Sequence, residues 1–178
     1  MNSRVLFICT ANQARSAVAE AVLRRCVPPD ILVSSAGTQA SDGRRCDPNT
    51  LAAARLMGLQ METHRSTRLT VDHLQTNDLI VCMTNEHLRH SVGMFTKAWE
   101  RTFTLKELVR RASSAGPRSG GSFPDYLSYL HSGRSIKDAW IDDGPDDIAD
   151  PIEQSPKGHH KILETVRELT NALGAFLQ

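Results

Sequence analysis

Apolar runs of strand length alternate with segments of helical spacing along this chain. Val5-Leu6-Phe7-Ile8 is a continuous apolar run, and residues 17–25 follow it with Ala17, Val18, Ala21 and Val22 recurring at the three-to-four-residue period of a helix. Residues 31–35 form a second short β-rich run, closed by the turn Ser35-Ala36-Gly37-Thr38. After a polar stretch containing Gly43 and Pro48, residues 49–58 place Leu51, Ala54, Leu56 and Met57 on a helical period, with Gly58 as the stop. Residues 79–83 are apolar throughout, as in a parallel strand covered on both faces, and Thr84 stands where it can cap a helix over 85–92. A shorter strand is expected over 102–105 and a helix from 106. The clearest amphipathic helix spans 157–177, with Ile162, Val166, Leu169, Leu173 and Phe176 on one stripe.

Four strands that alternate with helices predict an open parallel α/β sheet. At 178 residues and 40% hydrophobic content, the chain can bury one substantial core, which predicts a single domain over 1–178. Residues 112–149 break the rhythm. They hold five glycines and three prolines and read as an insertion whose Ser/Gly-rich start is a surface loop. The apolar content of 123–131 and 136–141 favours short packed helices there.

A net charge of +1 gives no basis for nucleic-acid or membrane-surface binding, so any anionic ligand must be attracted by a local site. The N-terminus leads into five apolar residues, too few for a signal-peptide core, and no stretch approaches the roughly 20 apolar residues of a spanning helix. Cys9, Cys26, Cys46 and Cys82 contain no C-x-x-C pair, which argues against structural zinc and a disulfide-stapled module. A cytoplasmic protein with reduced thiols is expected, with no metal, no cofactor and no membrane or nucleic-acid partner; its oligomeric state is left open.

The chemistry concentrates in Cys9-Thr10-Ala11-Asn12-Gln13-Ala14-Arg15-Ser16, between the first strand and the first helix. A turn feeding a helix N-terminus aims unpaired backbone N–H groups and the positive end of the helix dipole at one spot, which makes an anion site. Arg15 adds a planar fork of donors suited to a tetrahedral oxyanion. The same field favours the thiolate of a cysteine at the start of the turn and makes Cys9 a candidate nucleophile.

A cysteine and an arginine separated by five residues, then a serine, following a strand near the N-terminus, resemble the signature of the low-molecular-weight protein tyrosine phosphatases. Ser35-Ala36-Gly37-Thr38, the His64-Arg65-Ser66 turn, residues 78–83 followed by Thr84-Asn85-Glu86-His87, and Asp150-Pro151 resemble family landmarks in the family's order. The resemblance implies a three-layer flavodoxin-like fold with a four-stranded parallel sheet in the order 2-1-3-4, and a site at the C-terminal edge of the first strand. It also implies roles. Cys9 attacks phosphorus to form a cysteinyl-phosphate while Arg15 and the loop residues Thr10, Ala11, Asn12, Gln13, Ala14 and Ser16 hold the phosphate. Asp150 is the general acid, chosen from the acidic run Asp142, Asp143, Asp146, Asp147 and Asp150 because it alone precedes a proline just before the last helix. Ser16 supports the thiolate, and Asn12, in a left-handed conformation, is tethered by Ser35 and His64.

The substrate implied is a phosphorylated protein or peptide, with phosphotyrosine first. The aromatic walls usual for phosphotyrosine are replaced by Ile152 and Ser41, and Gln13 matches neither the branched apolar residue of tyrosine phosphatases nor the threonine of protein-arginine phosphatases. Phe103-Thr104-Leu105-Lys106-Glu107 and Met83-Thr84 with His87 resemble the arginine branch, which stands as the alternative. Arsenate reductase, which would need Cys82 and a further late cysteine, and a non-catalytic phosphate-binding module are weaker alternatives. Ala14 stands where many members carry a second cysteine, and Ala11 replaces the usual glycine. Phe123, Tyr126, Tyr129 and Trp140 predict that the insertion forms a flap supplying part of the substrate pocket.

Overall fold

The computed structural model describes residues 2–118, 121–140 and 145–178. The strands β1 (Ser3–Cys9), β2 (Ile31–Gly37), β3 (Leu79–Cys82) and β4 (Thr102–Thr104) form one parallel sheet in the order β2-β1-β3-β4. The helices are α1 (Arg15–Cys26), α2 (Pro48–Leu56), α3 (Val71–Thr76), α4 (Asn85–Met94), α5 (Leu105–Ala115), α6 (Phe123–His131) and α7 (Pro156–Leu177), with 3₁₀ turns at Thr96–Arg101 and Ile136–Trp140. This is the three-layer flavodoxin-like arrangement that the resemblance implies.

Alternation along β1 separates the two halves of the core. Val5, Phe7 and Cys9 face one apolar cluster with Val18, Leu23, Leu108, Leu163, Val166 and Leu173, from α1, α5 and α7. Leu6 and Ile8 face a second cluster with Leu74, Leu88, Val92 and Trp99, from α3, α4 and the following 3₁₀ turn. β1 and β3, paired on both edges, are buried throughout from Val5 to Cys9 and from Leu79 to Cys82, which is why they read as unbroken apolar runs.

Differences from the sequence pattern have local causes. α1 begins two residues earlier than the apolar spacing indicates, because Arg15 and Ser16 are polar yet buried. β2 continues to Gly37, since Ala36 and Gly37 still pair with Ile8 and Cys9. α3 has no counterpart in the pattern. It is six residues long with one buried side chain, Leu74, and its start is set by a Thr70–His73 capping box rather than by periodicity.

The insertion contains ordered helices, but its described residues 123–140 do not line the cleft described below. Phe123, Leu127 and Leu130 of α6 join the core on the α5 and α7 side of the sheet, and Ala139 joins the opposite cluster. Tyr129 and Trp140 are mainly exposed. The Arg134 guanidinium lies 4.0 Å from the centroids of both Trp99 and Phe103 and pairs with Glu107 at 2.8 Å, so the segment is fastened to the β4 edge. Ser119, Gly120, Ile141, Asp142 and Asp143 lie outside the described residues.

Candidate active site

β1 ends at Cys9 and α1 starts at Arg15, and the five residues between them curl into a cradle at the C-terminal edge of the sheet. Helices α2 to α7 each start with a side-chain cap, from Asp47, Thr70, Thr84, Thr104, Ser122 and Ser155, whereas Ala14 gives α1 none. The first-turn amides of α1 are thereby left to an anion.

Asn12 shapes the cradle. It is the one non-glycine residue with positive φ among the described residues, at 55°, and it is fully buried. Its Nδ2 donates to Ser35 Oγ at 2.7 Å and to Ser16 Oγ at 2.9 Å, its Oδ1 accepts from the Thr67 amide at 2.8 Å, and its carbonyl oxygen lies 2.8 Å from His64 Nε2. Every polar group of the side chain is satisfied, so a conformation that asparagine tolerates becomes the only one available. The Ser35 hydroxyl in turn donates to Glu20 Oε2. Gly37 passes close behind. A Cβ there would stand 2.5 Å from the Thr10 carbonyl oxygen and 2.9 Å from the Asn12 nitrogen.

Cys9 Sγ lies 2.9 Å from Ser16 Oγ. Because Asn12 already donates to that oxygen, the Ser16 proton is left for the sulfur or for the Ala36 carbonyl, 3.5 Å away. Arg15 is 4% exposed. Its Nη1 donates to the Ile148 carbonyl at 2.8 Å, and its Nη2 donates to Asp150 Oδ2 at 2.6 Å and to Thr10 Oγ1 at 3.4 Å.

The acidic run separates by partner. Asp146 makes a two-pronged pair with Arg110, Asp147 Oδ1 accepts from the Asn85 amide at 2.7 Å at the start of α4, and Asp150 alone of the described members meets Arg15. The loop that carries it is docked by the Ile148 amide on the Met83 carbonyl at 2.9 Å and by Lys106 Nζ on the Asp147 carbonyl at 2.7 Å. Sequence reasoning had no hold on these contacts or on Thr67, since backbone partners leave no side-chain signature.

Cys9, Thr10, Ala11, Gln13, Ala14 and Arg15 line one side of a cleft of about 580 Å³, and Ala149, Asp150, Ile152, Glu153 and Gln154 line the other. Asn12 and Ser16, grouped with the anion-holding residues on sequence, turn their side chains behind the cradle. Ser41 and residues 123–140 are not part of the lining, so the helical part of the insertion contributes no wall, and of the insertion's described residues Ala149 alone reaches the cleft.

The model of the family described as low molecular weight phosphotyrosine protein phosphatase matches residues 4–117. The chain belongs to that family. The phosphatase is 34% identical over 109 residues to a protein-arginine-phosphatase of Geobacillus stearothermophilus, across 61% of this chain and 73% of the relative. It is 32% identical over 113 residues to the low molecular weight protein-tyrosine-phosphatase Etp of Escherichia coli strain K12, across 64% and 76%. The solved structure of the YwlE arginine phosphatase from G. stearothermophilus superposes with a TM-score of 0.73 at 27% identity, covering 97% of this chain and 90% of that one. As a family member the protein is a hydrolase.

Proposed function

We propose that the protein removes phosphate from phosphotyrosine, or a related phospho-residue, on proteins through a cysteinyl-phosphate at Cys9. The observation that carries this reading is the convergence of Cys9, Arg15 and Asp150 on one cleft. Cys9 attacks phosphorus in line, the α1 amides and Arg15 hold the equatorial oxygens as charge redistributes, and Asp150 protonates the leaving atom. Asp150 then takes a proton from the water that hydrolyses the thiophosphate ester, the P–S bond breaks with its electron pair on the Cys9 sulfur, and Asp150 is left protonated for the next cycle. The phosphoryl group competes with Asp150 for the same Arg15 nitrogen, so substrate binding itself releases the acid toward the leaving group.

Protein-arginine phosphatase is the second reading. Ile152 stands where an aromatic wall is expected, while Glu153, Gln154 and Gln13 line the cleft and offer acceptors to the N–H groups of a guanidine leaving group. Arsenate reduction draws no support from Cys82, which is fully buried, with its thiol pushed up to about 12 mainly by burial. The cytoplasm is the compartment proposed, in keeping with four free cysteines and with no helix among the described residues long and apolar enough to cross a membrane. Hydrolysis rates for matched phosphotyrosine and phosphoarginine peptides decide between the readings. A rate ratio above about tenfold for phosphoarginine would replace the first with the second, and no turnover of either peptide would overturn both.

A further inference from the structure

His87 lies in the first turn of α4, is 4% exposed, and reaches the cradle from across the sheet edge. Its Nε2 is 2.9 Å from Thr10 Oγ1 and its Nδ1 is 2.8 Å from Thr84 Oγ1, while its own amide donates to Thr84 Oγ1 at 3.3 Å. Thr10 follows Cys9 directly, and its hydroxyl oxygen also accepts from Arg15 Nη2. The protons around this chain can be assigned. With Arg15 donating to the Thr10 oxygen, the Thr10 proton points to His87 Nε2, so the ring proton sits on Nδ1 and goes to Thr84. Burial, then the Arg15 cation and His90, hold the imidazole down to about 3, so the ring is a neutral acceptor at working pH.

We propose that His87 is a positioning residue of the phosphatase: by accepting the Thr10 proton it aims a Thr10 lone pair at Arg15 Nη2 and keeps the guanidinium aligned with the anion cradle. The inference rests on the phosphatase reading of Cys9 and Arg15. Arg15 has five N–H donors, and three have partners outside the anion: the Ile148 carbonyl on Nη1, with Asp150 and Thr10 on Nη2. When phosphate draws the Asp150-facing proton away, the Ile148 and Thr10 bonds remain as two fixed points. One point is a pivot and two set a plane, and the bidentate hold on a phosphoryl group depends on that plane. Without His87 the Thr10 hydroxyl is free to rotate and offer its proton, rather than a lone pair, to Arg15. Because Asp147 of the acid loop docks on Asn85 in the same helical turn, the start of α4 holds both Arg15 and the loop that carries Asp150.

The test compares kcat and KM for a small aryl phosphate in the wild-type enzyme, Thr10→Val, His87→Met, the double variant and His87→Gln, with circular dichroism confirming that each is folded. Thr10→Val and His87→Met should each lower kcat about tenfold, the scale of one transition-state hydrogen bond, with KM within about twofold. The double variant should be no slower than the slower single variant. His87→Gln, whose carbonyl oxygen can accept the Thr10 proton, should recover most of the rate. Thr10→Val at the wild-type kcat overturns the proposal, as do losses that multiply in the double variant. If His87→Met does not fold, Thr10→Val and His87→Gln carry the comparison, and a folded His87→Gln without recovery overturns the proposal. A wild-type enzyme with no turnover fails the phosphatase reading instead, so the two failures are distinct.

Discussion

Arg15 Nη2 donates to Asp150 Oδ2 at 2.6 Å across 135 residues of sequence, from a guanidinium that is 5% exposed to a carboxylate that is 49% exposed. The cation of the cradle and the proposed general acid are therefore direct partners, and one must yield when an anion enters. Asp150→Asn should lower kcat for an aryl phosphate by about 10²–10⁴, and the loss should grow as the leaving group becomes more basic. Inhibition by inorganic phosphate should be unchanged or tighter, because the competing charge is gone. A loss of kcat that is the same for good and poor leaving groups would show that Asp150 is not the acid.

Cys9→Ser nearly keeps the volume and the contact with Ser16 while replacing the proposed nucleophilic sulfur by oxygen. Turnover of an aryl phosphate should fall below detection, with the midpoint of urea unfolding close to that of the wild type. Residual turnover near the wild-type rate would eliminate the cysteinyl-phosphate mechanism.

Asn12→Ala tests the network behind the cradle. It places a Cβ-bearing residue without a local hydrogen-bonding side chain at φ 55° and leaves the Thr67 amide and the Ser35 hydroxyl without the amide they now meet. The expected cost is about 2–4 kcal/mol, measured by urea unfolding. Asn12→Gly, free of the backbone strain, should cost about 1 kcal/mol less. Equal stability of the two variants would show that the left-handed backbone carries no strain.

The depressed His87 sets a pH window for stability. Its ordinary value of 6.5 holds in the unfolded chain and its folded value is about 3, so below pH 6.5 the unfolded state binds a proton that the folded state refuses. This contribution to stability is complete above pH 6.5 and is lost progressively as the pH falls toward 3, to a total on the order of 5 kcal/mol. His87→Gln should flatten the difference in unfolding free energy between pH 7 and pH 4. A variant with the same acid slope as the wild type would place the titrating group elsewhere.

The helices of the insertion act on stability rather than on the cleft. Leu127 and Leu130 are buried in the main core, so Leu127→Ala should destabilise the fold by about 2–5 kcal/mol while leaving KM for a small aryl phosphate within about twofold. A KM change beyond fivefold in folded protein would bring α6 back to the pocket.

Local signals determined much of this protein. The buried strands are legible because β1 and β3 are covered on both faces and must be continuously apolar, and Thr84 is legible as a cap because it acts on an amide three residues away. The Cys9–Arg15 loop is legible because its thiol, the turn into α1 and the guanidinium lie within seven consecutive residues. The tertiary structure decided the rest. Pro151 sets Asp150 apart in the sequence, but that it meets Arg15, while Asp146 meets Arg110 and Asp147 the start of α4, comes from the folded chain, and His87 meets Thr10 across 77 residues. For α6, the apolar spacing of Phe123, Leu127 and Leu130 declares a face to be buried, but apolar contact is non-directional, so the sequence is silent about which surface receives it. Only the position of the β4 edge, with Arg134 held between Trp99 and Phe103, placed that face on the core and away from the cleft.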